Sequence, residues 1–237
     1  MCIRDSYTST DSGESWKIIM NRLEYCRFDW NIPYMKPRYN GGGNCVHWIS
    51  DIKLSPFDSD TALFNTGTGL FMITGLASGD VLVKPFCEGI EETVHLNVYT
   101  TPHGRNRIID IIGDLGGFAF EDYDSECENS FANENGDRYI TCLNADLTLS
   151  DPEYIVSTPR GNWTGKTKGG LILSKDCGST WERLPMPRGL SEFIDKKLDN
   201  IEKPNVDSGW TAISADGKRI MWAVAGGRGF SNKAVCY

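Results

Sequence analysis

One eight-residue pattern occurs twice in this chain. Ser9-Thr10-Asp11-Ser12-Gly13-Glu14-Ser15-Trp16 and Ser174-Lys175-Asp176-Cys177-Gly178-Ser179-Thr180-Trp181 agree at every fixed position of S-x-D-x-G-x-[ST]-W. Agreement at that many positions is an internal repeat rather than chance, and a repeat constrains architecture more tightly than any composition does. The residue types describe a hairpin turn. Asp11 and Asp176 accept hydrogen bonds from loop N–H groups, Gly13 and Gly178 take the positive φ of a tight turn, and Trp16 and Trp181 pack over it. These six residues are read as scaffold.

The segments between and after the repeats share a second grammar of strand, Asp-rich turn and strand. Residues 48–54 alternate, Pro56-Phe57-Asp58-Ser59-Asp60 turns, and 61–70 returns. At the end of the chain 209–214 leads into Ala215-Asp216-Gly217-Lys218, and 219–224 returns. With 25 Gly, 7 Trp, 9 Tyr and 10 Phe, the chain reads as many short strands with tight turns and aromatic packing. Only 190–203 carries apolar residues at helical spacing (Leu190, Phe193, Ile194, Leu198, Ile201), which predicts one short surface helix. The repeated pattern resembles the Asp-box, or BNR repeat, of β-propellers, where it is a turn at the blade periphery away from the active site. The expected fold is all-β, built of β-propeller blades.

Charge and cysteine usage bound the partners. Against 24 basic residues stand 32 acidic ones, for a formal net charge of −8. That sign opposes phosphate-backbone binding and attraction to an anionic membrane surface, so neither nucleic acid nor membrane is an expected partner. No run of eighteen apolar residues marks a spanning helix. The eight cysteines contain no CxxC pair, and His47, His95 and His103 are dispersed, so no metal site is expected. The cysteines are either disulfides of an oxidising compartment or buried thiols, and Cys127 with Cys142, which bracket one loop, is the first pair to examine. Asn162-Trp163-Thr164 is a glycosylation sequon. The first residues, Met-Cys-Ile-Arg-Asp-Ser, lack the apolar region of a signal peptide. Because a turn motif begins at Ser9 and the chain stops straight after a strand-like segment, an internal fragment of a longer protein is expected.

Chemistry is sought in the centre of the chain. Asp114 follows the apolar strand 108–112 and precedes Gly116-Gly117. An aspartate at a strand end, beside glycines that let a ligand approach the backbone, is an acid/base candidate. Taken alone, it is also what a turn aspartate looks like. The order of Trp48-Ile49-Ser50-Asp51-Ile52, Pro56-Phe57-Asp58-Ser59-Asp60, Thr66-Gly67-Thr68-Gly69, Gly89-Ile90-Glu91-Glu92-Thr93 and Gly113-Asp114-Leu115-Gly116-Gly117-Phe118 resembles glycoside hydrolase family 74. The likeness continues through 174–181 and 209–222.

This resemblance implies two seven-bladed propellers facing each other across an open cleft that binds a β-1,4-glucan such as xyloglucan. One aspartate from each propeller performs an inverting hydrolysis, without a cofactor, in a secreted and monomeric full-length enzyme. Asp114 falls in the family's Gly-Asp-x-Gly-Gly-Phe motif and is expected to be the general acid. Trp48, Gly116, Gly117 and Phe118 are assigned to substrate binding, with Trp30, Tyr34, Tyr39 and Trp210 as further aromatic candidates for stacking on sugars. Residues 1–95 are expected to be the last blades of an N-terminal propeller and 96–237 the first blades of a C-terminal one.

The chain departs from the family pattern in two ways. No second Asp-x-Gly-Gly occurs, so the partner aspartate is expected upstream of residue 1 and the isolated chain is expected to be inactive. The basic residues that commonly follow the motif are replaced by Ala119-Phe120-Glu121, which alters the local subsite. Residues 121–137 hold seven acids, but the EF-hand glycine is missing and the segment reads as a solvated loop rather than a calcium site. Two other classes compete: a non-catalytic Asp-box propeller binding protein or glycan, as sortilin-type receptors do, and a sialidase. The second would require an arginine cluster that is not apparent.

Overall fold

The structure is a computed structural model that describes residues 5–20, 27–35, 49–90, 93–127, 130–161, 167, 169–185, 209–224 and 233–236. Every regular element among these residues is a β-strand. The helix expected over 190–203, the sequon at Asn162, and Trp48, Tyr39 and His47 lie outside the described residues. The chain divides into two compact units, Met1–Thr93 and Val94–Tyr237.

In the first unit, β1 (Ser6–Thr8) and β2 (Lys17–Met20) pair antiparallel across the first Asp-box. The turn forms as its residue types dictate. Asp11 accepts the Ser15 N–H at 2.9 Å and Ser9 Oγ accepts the Gly13 N–H at 2.8 Å. Ser12 and Gly13 both take positive φ, at 60° and 92°, and the Trp16 indole N–H donates to the Gly13 carbonyl at 3.2 Å. The Ser15 hydroxyl and N–H and the Ser9 hydroxyl all stabilise the ionised carboxyl, holding Asp11 down to about 2.

The remaining strands are β3 (Arg27–Phe28), β4 (Asp51–Leu54), β5 (Thr61–Thr66), β6 (Gly69–Thr74) and β7 (Leu82–Pro85). They form one sheet in the order β3-β7-β6-β5-β4, antiparallel except for β3 beside β7. Period-two alternation puts Ala62, Phe64, Phe71, Ile73 and Val83 on one buried face, where the Phe64 and Phe71 rings stack at 5.1 Å. The Asp-rich turn between β4 and β5 is closed by Ser55 Oγ, which accepts the N–H groups of Phe57 and Asp58 at 3.2 Å.

Among the described residues the second unit contains three antiparallel sheets. The first comprises β8 (Val94–Thr100), β9 (Ile108–Gly113) and β10 (Gly116–Phe120). The second comprises β11 (Cys142–Leu147), β12 (Ile155–Pro159), β13 (Ile172–Ser174) and β14 (Glu182–Arg183), and the second Asp-box joins β13 to β14. The third comprises β15 (Trp210–Ile213), β16 (Ile220–Val224) and β17 (Lys233–Cys236). Ile109 and Ile111 of the first sheet pack with Cys142, Ala145, Ile155, Ile172 and Trp181 of the second in one core.

That core decides the state of the cysteine pair singled out above. Cys142 points into it as a free thiol whose burial pushes it up to about 12, so of the two readings left open for this candidate pair Cys142 takes that of a buried thiol. Burial explains both the thiol and its inertness.

Side chains, rather than a backbone ladder, join the inner strands of neighbouring sheets. Asn144 Oδ1 accepts the Thr211 N–H at 2.9 Å and Asp146 Oδ2 accepts the Ile213 N–H at 2.8 Å, so β11 runs parallel to β15 with its side chains capping the latter's backbone. On its other side, Asn144 Nδ2 donates to the Tyr99 hydroxyl of β8 at 3.2 Å. Asn144 is therefore shared by all three sheets. Replacing it with leucine leaves the buried Thr211 N–H without its acceptor and is expected to destabilise the unit by about 1–3 kcal/mol. The urea midpoints of wild type and Asn144→Leu measure this; equal midpoints would show that the staple contributes nothing.

Candidate active site

The β9–β10 hairpin carries Asp114. Backbone pairing ends at Ile112 opposite Gly116, leaving Gly113, Asp114 and Leu115 as the loop. The Leu115 N–H donates to the Gly113 carbonyl at 2.8 Å across Asp114, whose φ is +62°. A bond from i to i+2 closed over a positive φ is the strained form of γ-turn, rare for any residue with a side chain. Among the described non-glycine residues only Ser12 and Cys177 share a positive φ, and both occupy the position before glycine in an Asp-box. Asp114 is exposed, and its backbone N–H donates to Thr141 Oγ1 at 3.0 Å.

The structure gives the two glycines a different purpose from the one expected. A Cβ on Gly116 would lie 2.8 Å from the Tyr139 carbonyl oxygen, and one on Gly117 would lie 2.6 Å from the Asp110 carbonyl oxygen and 2.7 Å from the Phe131 ring. Both glycines are buried against their own chain, so they admit protein and not a ligand. Phe118, on the same hairpin, is buried as well. It is 2% exposed and its ring tilts against Phe120 at 6.1 Å, so it presents no open face for a sugar. The hairpin thus brings Asp114, Gly116, Gly117 and Phe118 together, and only Asp114 reaches the surface.

Other groups share that end of the sheets. Because the strands are antiparallel, the start of β8, the β9–β10 turn and the end of β12 lie together, and the Arg160 N–H donates to the Thr141 carbonyl at 2.6 Å. Since β15 runs parallel to β11, Trp210 at its start falls at this end too, 65% exposed. Of the other aromatic candidates, the two among the described residues are otherwise engaged. Trp30 stacks on Phe28 at 5.2 Å, and the buried Tyr34 hydroxyl donates to the Thr68 carbonyl at 2.9 Å.

The second Asp-box lies at the opposite end. Asn106 in the β8–β9 loop donates to the Cys177 carbonyl at 2.9 Å and to Ser179 Oγ at 3.0 Å. Asp176 accepts the Thr180 N–H at 2.8 Å, and Gly178 N–H donates to Ser174 Oγ at 2.7 Å. Partial burial works against ionisation of Asp176, but the bonds from Thr180 and Ser174 outweigh it and hold the carboxyl below its usual range. Trp181 is 4% exposed against Phe131 at 4.6 Å, whereas Trp16 is 64% exposed. Both boxes are built as turns, and the one in this unit stands away from Asp114.

Sequence reasoning passed over an ionisable pair four residues before Asp114. Asp110 is buried on β9 in the run Ile-Ile-Asp-Ile-Ile, and His95 Nδ1 on β8 lies 2.8 Å from its Oδ2. A carboxyl set among four isoleucines was itself the signal, since a buried charge demands a partner. Burial raises the pKa of Asp110, partly offset by the His95 hydrogen bond and charge. A raised folded value favours the protonated form. The stability from Asp110 is therefore present in full below its ordinary 3.8 and is lost as pH rises through the raised value. Urea midpoints measured from pH 4 upward are expected to fall in wild type relative to Asp110→Asn.

The residues of the 121–137 loop mostly satisfy one another. Asp122 accepts the Asp124 N–H at 2.9 Å and the Ser125 hydroxyl at 3.0 Å, while Asn133 accepts the N–H groups of Asn135 and Asp137 at 2.9 Å. Arg105 is paired with Glu121 at 2.6 Å.

With this geometry in view, comparison with known proteins is informative. No protein-family model matches the chain. It is similar along its length to a xyloglucanase of a Paenibacillus species, at 25% identity over 98% of the chain and 22% of the relative. It is also similar to an oligoxyloglucan-reducing end-specific xyloglucanase of Emericella nidulans, at 27% identity over 92% of the chain and 29% of the relative. In fold it matches a glycoside hydrolase family 74 xyloglucanase of Xanthomonas campestris, with a TM-score of 0.67 and 22% identity over 98% of the chain and 29% of that structure. A family 74 enzyme of Niastella koreensis gives the same TM-score at 18% identity. The fold is thus that of β-propeller blades, shared with the family 74 structures, and in sequence the chain resembles xyloglucanases along nearly its whole length. The chain spans only about a quarter of the length of the curated relatives it matches.

The strained turn yields a stability test. A left-handed residue with a side chain costs about 1–2 kcal/mol that glycine avoids, partly offset by glycine's greater unfolded-state entropy. Asp114→Gly is therefore expected to be at least as stable as wild type and Asp114→Ala less so. Thermal unfolding of the three proteins decides; a Gly variant less stable than wild type would assign the carboxylate a structural task.

Proposed function

We propose that this chain is part of a secreted hydrolase of β-1,4-glucan backbones, acting on xyloglucan, with Asp114 as its general acid. The observation that carries the reading is an exposed carboxylate held in a strained turn where glycine would be cheaper, in a chain similar to xyloglucanases over nearly its whole length. Strain is retained where a side chain is needed at that point.

In the proposed reaction Asp114 gives its proton to the glycosidic oxygen as the bond to the anomeric carbon breaks. A facing carboxylate takes a proton from water, which attacks that carbon from the opposite side and inverts it. Inversion needs roughly 6.5–9.5 Å between the two carboxyl groups, room for the water. The reading assigns the facing carboxylate to polypeptide outside residues 1–237, because no second Asp-x-Gly-Gly occurs within them. It assigns residues 1–95 to the last blades of one propeller and 96–237 to the first blades of another. Trp48 and Trp210 remain the aromatic candidates for sugar contact under this reading, and Gly116, Gly117 and Phe118 support the turn from beneath.

The test is reducing-sugar release from xyloglucan and from unsubstituted β-1,4-glucan by the complete reading frame that contains this chain. Asp114→Asn is expected to lower kcat about a thousandfold or more, the scale of lost general acid catalysis. A folded wild type without activity, or activity indifferent to the substitution, would overturn the reading in favour of a binding propeller.

A further inference from the structure

The turn that carries Asp114 is closed by the Leu115 N–H to Gly113 carbonyl bond, over a residue in a sparsely populated conformation. A further attachment comes from another sheet. Thr141 stands immediately before β11, is 7% exposed, and its Oγ1 accepts the Asp114 backbone N–H at 3.0 Å. Backbone pairing on both sides fixes that hydroxyl. Gly116 and Thr141 form a parallel bridge, and the Arg160 N–H donates to the Thr141 carbonyl.

We infer that Thr141 is the positioning residue of the Asp114 site: its hydroxyl oxygen holds the left-handed turn and so fixes where the carboxylate points. The inference rests on the reading of Asp114 as the general acid. A hydrogen bond to the backbone of a residue at positive φ sets the Cα–Cβ direction. A proton donor displaced by about 1 Å loses on the order of a hundredfold in rate even when every reacting group is present. Under this inference Thr141 acts through Asp114, whose backbone N–H it holds. Its β-branched shape is held by the buried packing around it, so removing the oxygen while keeping the shape isolates the bond.

The experiment compares Thr141→Val, Thr141→Ser and Asp114→Asn with wild type in the complete enzyme on xyloglucan, measuring kcat, KM and deuterium uptake of peptides covering 108–120. Thr141→Val, which keeps the shape and loses the acceptor, is expected to lower kcat about ten- to a hundredfold with KM within about twofold, and to speed exchange in the turn. Thr141→Ser keeps the acceptor and is expected to recover most of kcat and the slow exchange. If Thr141→Val melts below the assay temperature, Thr141→Ala is put through the same comparison. Full kcat in the Val or Ala variant beside an inactive Asp114→Asn overturns the inference and leaves the reading of Asp114 intact. A kcat loss that serine does not restore overturns it as well, because the hydroxyl is then not what matters. Activity indifferent to Asp114→Asn overturns the reading and the inference together.

Discussion

Neighbouring sheets of the second unit meet along inner strands that share no backbone ladder, and this leaves strand N–H groups to be satisfied by side chains. Asn144 and Asp146 accept the Thr211 and Ile213 N–H groups at 2.9 and 2.8 Å. Tyr99 of β8 is joined to β11 side chain to side chain, its hydroxyl accepting from Asn144 Nδ2. The Thr158 hydroxyl adds a bond of 2.8 Å to the Gly209 carbonyl. A buried donor without a partner costs more than a hydrogen bond gains, so these polar residues fix the register of one sheet on the next. Apolar packing of Ile109, Ile111 and Trp181 supplies attraction but would tolerate slippage. The polar staples do not.

Register matters because the candidate site is assembled across that same seam. Asp114 belongs to the first sheet and the Thr141 oxygen that holds its N–H belongs to the approach to the second. Any shift of β11 against β9 would withdraw the acceptor. Asp110 contributes from the other side of the hairpin. Its carboxyl is buried and tied to His95, which fastens β8 to β9 just before the turn. The Asp114 turn is thus tied to the Thr141 oxygen and flanked by the Asp110–His95 pair. This is the arrangement that precise placement of one acid requires.

Much of this was legible in the residue order, and what was not has physical causes. The Asp-boxes announce themselves because a turn made of side-chain-to-backbone bonds needs fixed residue types at fixed spacing, and both form as read. The Asp114 motif could be located but not explained. Glycines at 116 and 117 suggest room for a ligand, whereas the room is taken by the Tyr139 carbonyl and the Phe131 ring, contacts that no local reading foresees. Cys127 and Cys142 bracket a loop in sequence, but the alternation of β11 turns Cys142 into the core. Thr141 carries no local mark at all. Its importance comes from a partner twenty-seven residues away.

A comparison of two hairpins shows how little separates a plain blade turn from the candidate catalytic one. In the first unit, β5 and β6 pair up to Thr66 opposite Gly69, leaving Gly67 and Thr68 as a two-residue turn closed by the Thr66 and Thr68 hydroxyls at 3.0 Å. In the second unit, β9 and β10 pair up to Ile112 opposite Gly116 and leave three residues. Both turns join the second and third strands of an antiparallel run, and both are followed by a glycine at positive φ, Gly69 at 147° and Gly116 at 85°. The shorter turn has an outside partner of its own, the Tyr34 hydroxyl donating to the Thr68 carbonyl at 2.9 Å. In the longer turn the residue at positive φ is Asp114, inside a γ-turn, and its backbone N–H donates to Thr141 Oγ1 on the approach to the next sheet. The longer turn is the one that combines an exposed carboxylate with a left-handed backbone bonded to Thr141, so under the proposed reading the acid and its support belong to a single local feature.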